Sequence, residues 1–176
     1  IEDGAHVIGT SYKGRMNGSI ADMTTMSFHP VKTVTGGEGG AVLTNSKEYY
    51  EKLLLYRAHG ITRDPKLMEH EPDGPWYYEQ IALGMNYRMT DMQAALIISQ
   101  LNKLPRFMER RKAIVKAYNE AFSRLPQLFV QQEIPESDTT RHLYILRIRP
   151  EKLTIDRKQF FEALAAENIC CNVHYI

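Results

Sequence analysis

The sequence predicts an α/β chain made of the closing part of a larger α/β domain, a long connecting helix pair and a small strand–helix–strand domain. Three observations carry that prediction. Stretches with strand character alternate with helical ones along the chain. Residues at capping-box spacing mark helix starts: Asn45 with Glu48, Thr90 with Gln93, and Asp156 with Gln159. Between them, an apolar stripe at helical spacing runs from Leu104 to Leu125.

Taken in order, Ala21 to Phe28 (ADMTTMSF) reads as a strand on its Thr and Phe content, and Gly40 to Leu43 as a short strand leaving a glycine cluster. Asn45 and Glu48 open a helix through Arg57 whose apolar face is Tyr50, Leu53 and Leu54. His59-Gly60 closes it, glycine tolerating the left-handed cap. Residues 61–80 hold Pro65, Pro72, Gly74 and Pro75 without a period, which predicts a long loop of the kind that carries function or moves. Thr90 and Gln93 start a helix through Leu101. The stripe of Leu104, Phe107, Ile114, Tyr118, Ala121, Phe122 and Leu125 is broken only by Arg111, with Pro105 at a kink or in the first turn. His142 to Arg149 alternates like a strand, Asp156 and Gln159 cap a helix over Phe160, Phe161 and Leu164, and Ile169 to Val173 reads as a further strand.

Composition excludes several classes of function. Apolar residues make up 43% and charged residues 24%, a globular balance unlike that of a disordered chain. Lys plus Arg is 22 against 21 for Asp plus Glu, so the net charge of +1 gives no footing for nucleic acid or an anionic membrane. The longest apolar run, Ala94 to Ile98, is far short of a membrane span. Cys170 and Cys171 are neighbours, a spacing that rarely reaches disulfide geometry, which points to a reduced, cytoplasmic setting. The 176 residues fit one domain, or one and part of a second. A start at Ile1-Glu2-Asp3 without Met and an end just after an apolar stretch lead us to expect a piece of a longer protein.

Chemistry concentrates in Ser27-Phe28-His29-Pro30-Val31-Lys32 and in Gly36-Gly37-Glu38-Gly39-Gly40. Alone, a lysine in a turn is ordinarily solvated surface charge. The glycines lack the following Gly-Lys-Ser/Thr of a Walker loop and do not match the dinucleotide fingerprint. His29, His59, His70, His142 and His174 are too scattered for metal-ligand spacing, and the vicinal cysteines lack a paired motif, so no metal site is expected. Arg106, Arg110, Arg111 and Lys112 flank an apolar stripe and read as a solvated helix face.

Three blocks in order nevertheless resemble the DegT/DnrJ/EryC1/StrS family of sugar aminotransferases. They are Asp3-Gly4-Ala5-His6; Ser27-Phe28-His29-Pro30-Val31-Lys32 with Gly37-Glu38-Gly39-Gly40; and Leu83-Gly84-Met85-Asn86-Tyr87-Arg88-Met89-Thr90-Asp91-Met92-Gln93-Ala94-Ala95. The resemblance covers essentially the whole chain. It implies a partial fold type I α/β protein using pyridoxal 5′-phosphate. Residues 1–100 would be the C-terminal part of the cofactor-binding large domain, 101–125 a connecting helix, and 126–176 part of a small α+β domain.

The same resemblance implies roles for single residues. Lys32 would hold the cofactor aldehyde and, once released, move the proton; an amine condenses with carbonyls and its pKa falls when desolvated. Asp3 would pair with the pyridine nitrogen and keep the ring protonated. His6 would lie against the ring or near its phenolic oxygen, and Ser27 would donate its hydroxyl to the phosphate. Asn86 would reach the phosphate of the neighbouring subunit, implying a homodimer with shared active sites, or would fix the turn before Thr90, or both. Gly36 to Gly40 would permit close chain approach. The implied reaction moves an amino group from an amino acid, glutamate in this reading, to a keto group on a nucleotide-linked deoxysugar. Relatives that act as sugar dehydratases carry His where Lys32 stands, so Lys favours transamination. Two other readings stay open: a folded or dimerising remnant without catalysis, because a segment before Asp3 would be needed to complete the site, and a sugar-sensing regulator on the same fold.

Overall fold

The computed structural model describes residues 1–175. The chain divides into two compact units, one of residues 1–108 with 136–142, the other of residues 109–135 with 143 onward.

The first unit is built on a three-stranded sheet of β1 (Glu2–Asp3), β4 (Thr24–Ser27) and β5 (Gly40–Leu43), with β4 in the middle. β1 runs parallel to β4, setting Glu2 opposite Thr24 and Asp3 opposite Thr25, while β5 is antiparallel, setting Gly40 opposite Ser27. The ladder occupies only the second half of the expected 21–28 strand, because Ala21 and Asp22 bend into it. A hairpin the sequence did not announce joins β2 (Ser11–Tyr12) to β3 (Arg15–Met16). Its two-residue turn, Lys13-Gly14, has φ of 49° and 72°, the left-handed pair that matches strand twist. Phe28, Val34 and Ile97 form the buried core, with Ile8, Met26, Ala41, Met89 and Leu104 packed against it.

Helix α1 (Lys47–Tyr56) starts one residue later than the Asn45/Glu48 spacing predicts. The Thr44 hydroxyl takes the Ser46 amide, and Ser46 in turn accepts from the Tyr49 amide, so Ser46 is the cap. The chain leaves α1 through His59 and Gly60, both left-handed. The stretch expected to be an open loop is closed at its base: β6 (Ile61–Thr62) pairs antiparallel with β7 (Glu79–Gln80). Gly60 and Gly84 lie back to back; a Cβ on Gly60 would run into the Ala82 carbonyl oxygen, and one on Gly84 into the Gly60 nitrogen. Helix α2 (Asp91–Leu101) carries the reciprocal Thr90–Gln93 box as expected. Helix α3 (Leu104–Phe122) holds Pro105 in its first turn, where its missing N–H costs nothing.

In the second unit, β8 (Leu128–Val130) pairs antiparallel with β10 (Leu146–Ile148). Tyr144 packs edge-on against Tyr118 at 5.1 Å and donates its hydroxyl to Asn119 Oδ1 at 2.8 Å. Helix α4 (Arg157–Ala166) has the expected Asp156–Gln159 box. The strand expected at Ile169 to Val173 is not formed: among the described residues none pairs with it, and its side chains are mostly exposed. In the first unit again, β9 (Ser137–Asp138) adds to β2.

The Gly60–Gly84 contact yields a test. Gly60→Ala puts a side chain on a residue at φ +69° and into a backbone carbonyl. It should destabilise the protein by on the order of 2 kcal/mol or more in urea unfolding.

A candidate active site at the ends of two parallel strands

Parallel pairing places the carboxyl ends of β1 and β4 on one edge, where ligands of open α/β sheets bind. Asp3 is the last residue of β1 and Ser27 the last of β4; His6 and Lys32 follow within a few residues of each. Gly4 makes this edge possible, since a Cβ there would meet Thr24 Cγ2 at 2.6 Å and the Thr25 carbonyl oxygen at 2.7 Å. Asp3 Oδ1 accepts from the Ala5 amide at 3.1 Å, leaving its other oxygen without a hydrogen-bond partner among the described residues.

Lys32 stands on a loop that is fastened from within. Phe28 donates its amide to the Gly39 carbonyl at 2.8 Å and accepts at its own carbonyl from the Gly36 amide at 2.9 Å and the Thr35 hydroxyl at 3.1 Å. Gly37 N–H closes on Thr35 Oγ1 at 2.9 Å. Val34, fully buried, anchors the middle, and the Lys32 amide donates to His29 O at 2.9 Å. The Lys32 ammonium itself makes no ion pair or hydrogen bond with described residues. The Gly36–Gly40 run allows close approach: added Cβ atoms would meet Ile97 Cδ1 and the Met26 carbonyl oxygen, each at 2.8 Å. Ser27 Oγ accepts from the His29 amide at 3.4 Å, so its hydroxyl proton is left to donate.

His6 lies against His142, ring centroids 4.4 Å apart and planes tilted 56°. By sequence pattern His142 is the expected start of a strand and one of several scattered histidines. The strand begins at Leu146 instead, and His142 arrives at His6 because the 136–142 segment returns to the first unit. β9 docks on β2, the Thr140 amide donates to Thr10 Oγ1 at 3.2 Å, and buried Arg141 turns the chain at φ +48°. No local pattern could have shown a contact between residues so far apart in the chain.

Asn86 belongs to a different segment. Its neighbours Met85 and Tyr87 donate their amides to Tyr56 O at 2.7 Å and Arg57 O at 2.9 Å, and Asn86 itself bridges Ala58. Its side chain is exposed and bonds no described residue, so within this chain it is not joined to Asp3, His6, Ser27 or Lys32.

A further organiser went unnoticed in the sequence. The Glu79 carboxylate, its side chain only 11% exposed, accepts from the amides of Glu69 at 2.7 Å and His70 at 2.9 Å. It also meets His70 Nδ1 at 3.2 Å and takes the Tyr77 hydroxyl proton at 3.0 Å. These bonds, the Glu69 amide foremost, hold its carboxyl below the usual carboxylate range and, through the hydroxyl bond, raise the Tyr77 phenol. Among the described residues no cluster of His, Cys, Asp and Glu is suited to a metal ion, and no helix is long and apolar enough to cross a membrane.

Comparison with known proteins settles the lineage. The DegT/DnrJ/EryC1/StrS aminotransferase family matches residues 1–176. The chain belongs to that family. It is 43% identical over its whole length to the uncharacterized protein MJ1066 of Methanocaldococcus jannaschii, covering 45% of that protein. It is 37% identical over 99% of its length to a UDP-4-amino-4,6-dideoxy-N-acetyl-β-L-altrosamine transaminase of Campylobacter jejuni, covering 44% of it. The PLP-form of Spr1654 from Streptococcus pneumoniae superposes with a TM-score of 0.83 at 33% identity, over 98% of this chain and 43% of that one. The fold is thus a partial fold type I transferase, and the chain spans under half the length of the relatives it matches.

Glu79 supplies a pH test. With its carboxyl held low, its contribution to order is complete above the ordinary glutamate value and is lost as pH falls through the lowered one. Protection of the Glu69 and His70 amides against exchange, taken relative to the intrinsic rate at each pH, should therefore be full at neutral pH and fall well below about pH 4.3. Glu79→Gln should lower that protection already at neutral pH.

Proposed function

We propose that this chain carries the pyridoxal-phosphate site of a transaminase that aminates a nucleotide-linked keto-deoxysugar, with an amino acid, glutamate, as donor, in bacterial surface-polysaccharide or glycan biosynthesis. The observation that carries the reading is the edge of β1 and β4. Asp3 and Ser27 end the two strands and Lys32 follows on the loop after β4; among the described residues its amine, one Asp3 carboxylate oxygen and the Ser27 hydroxyl proton have no partner. The cofactor presents the three matching groups: an aldehyde, a basic ring nitrogen and a phosphate. When bound, it supplies the electron sink for moving an amino group.

The residues then divide the work. Lys32 is the amine that would hold the cofactor through its aldehyde and that would move a proton at the substrate carbon once it is free. The closed 28–39 loop fixes the lysine backbone, so only side-chain torsions are left to move. Asp3 would hold a proton on the ring nitrogen, Ser27 would donate to the phosphate, and His6, steadied by His142, would face the ring. Residues 1–100 serve as the end of the cofactor-binding domain, 101–125 as the connecting helix, and 126–176 as part of the small domain. Asn86 completes the phosphate site of a second copy in a cytoplasmic homodimer with shared sites. The free Asn86 amide and the exposed apolar neighbours Leu83 (85%), Tyr87 (76%) and Met92 (81%) support that reading.

Borohydride reduction of the cofactor-loaded, full-length gene product, followed by peptide mapping, should place the label on Lys32, and Lys32→Ala should abolish both label and transamination. Label on Lys13 or Lys47 would contradict the assignment. Asn86→Ala should weaken cofactor binding about ten- to a hundredfold, the loss of one hydrogen bond to a charged group. A hybrid of a wild-type subunit with a Lys32→Ala/Asn86→Ala subunit decides where Asn86 acts. A cross-subunit Asn86 leaves every site impaired, whereas one wild-type-affinity site per dimer would place it within its own subunit.

A further inference from the structure

We infer that Glu2 is the positioning residue for Asp3. The two side chains alternate along β1, and the Glu2 carboxylate spends both its oxygens on its own fold: Oε1 accepts from Asn17 Nδ2 at 2.8 Å and Oε2 from Thr24 Oγ1 at 2.8 Å. Thr24, fully buried, is also the ladder partner of Glu2, so the carboxylate ties β1 to β4 one residue before the site. The Glu2 amide donates to the Met23 carbonyl at 2.8 Å, and its carbonyl accepts from the Thr25 hydroxyl at 3.4 Å. A strand of two residues has little ladder of its own to fix its end. Glu2 provides that fixity from the side, and the uncommitted Asp3 oxygen inherits it.

The frame works by hydrogen-bond geometry and not by charge. Asn17 Oδ1 is buried with no partner, so the Asn17 amide can turn over and accept from a glutamine at position 2 while Thr24 still donates to that glutamine's oxygen. Glu2→Gln therefore keeps the frame, whereas Glu2→Ala and the isosteric Thr24→Val break it.

The inference rests on the reading of Asp3 as partner of the cofactor ring nitrogen, and the experiment separates the two. The full-length gene product is loaded with pyridoxal phosphate labelled with 15N in the ring, and the ring-nitrogen signal is followed against pH, beside the thermal midpoint of each variant. Glu2→Ala and Thr24→Val should lower the deprotonation midpoint by about one unit, a roughly tenfold loss of proton affinity at the nitrogen, and Glu2→Gln should leave it at the wild-type position. A purely structural role would shift the thermal midpoint without moving the ring-nitrogen titration. If Glu2→Ala does not fold, Thr24→Val decides. An unmoved titration in the folded variants overturns the inference, as does a Glu2→Gln shift equal to that of Glu2→Ala, which would make the effect one of charge. Asp3→Asn is the control: if it leaves the titration unchanged, the assignment of Asp3 falls first and the inference with it.

Discussion

The site depends on one strand pairing. β1 is parallel to β4, and only a parallel pair brings two carboxyl ends, Asp3 and Ser27, to the same edge. Parallel ladders are slightly weaker per residue than antiparallel ones, and here the parallel ladder is two residues long. The pair holds because Gly4 lets the chain close on Thr24 and Thr25, and because β5 secures β4 from its other side over four residues. The antiparallel neighbour thus supplies the rigidity, and the parallel one supplies the geometry. Function sits on the cheaper ladder and stability on the longer.

The lysine loop solves a related problem. In its proposed role Lys32 would have to swing on a base that cannot drift. Phe28 resolves this by being both buried and triply hydrogen-bonded on its backbone, to Gly39, Gly36 and Thr35. Burial of Val34 adds a second fixed point, at about 1.5–3 kcal/mol for a side chain of that size. Between these anchors only His29 to Thr33 carry the turn, and among them Thr33 is buried as well. The glycines after the loop serve the backbone approach to Ile97 and Met26, so their contribution to the site is steric and indirect.

Much of this was legible in the sequence, and the limits have physical causes. The Thr90–Gln93 and Asp156–Gln159 boxes are local hydrogen-bond patterns, and both helices start where those residues put them. The Asn45 cap was misplaced by one residue because Asn45 and Ser46 are both able caps, and the choice fell to the Thr44 turn. The 61–80 segment showed no period because its order comes from one carboxylate gathering amides across the hairpin, a contact that leaves no repeat in the sequence. His142 beside His6, and Asn17 and Thr24 on Glu2, depend on returns of the chain. The strand read at Ile169 to Val173 had the right residues and no neighbour among the described ones, and β propensity without a neighbour forms no strand. Motif order marked the candidate site because its residues lie in short blocks, while pairing partners across the fold stayed hidden.

The two roles proposed for Asn86 do not compete. As a turn residue before the Thr90 cap it would spend its backbone; as a ligand it would spend its side chain. The structure separates the two. The Met85 and Tyr87 amides and the Asn86–Ala58 bridge fasten the backbone to the end of α1, and Gly60 against Gly84 sets the spacing between those two segments. The carboxamide is left exposed and bonds no described residue. A side chain held on a fixed backbone loses little entropy when a ligand captures it, because only two torsions remain to be frozen. The Thr90 box then starts α2 four residues on, so the helix begins directly after the segment that fixes the Asn86 backbone.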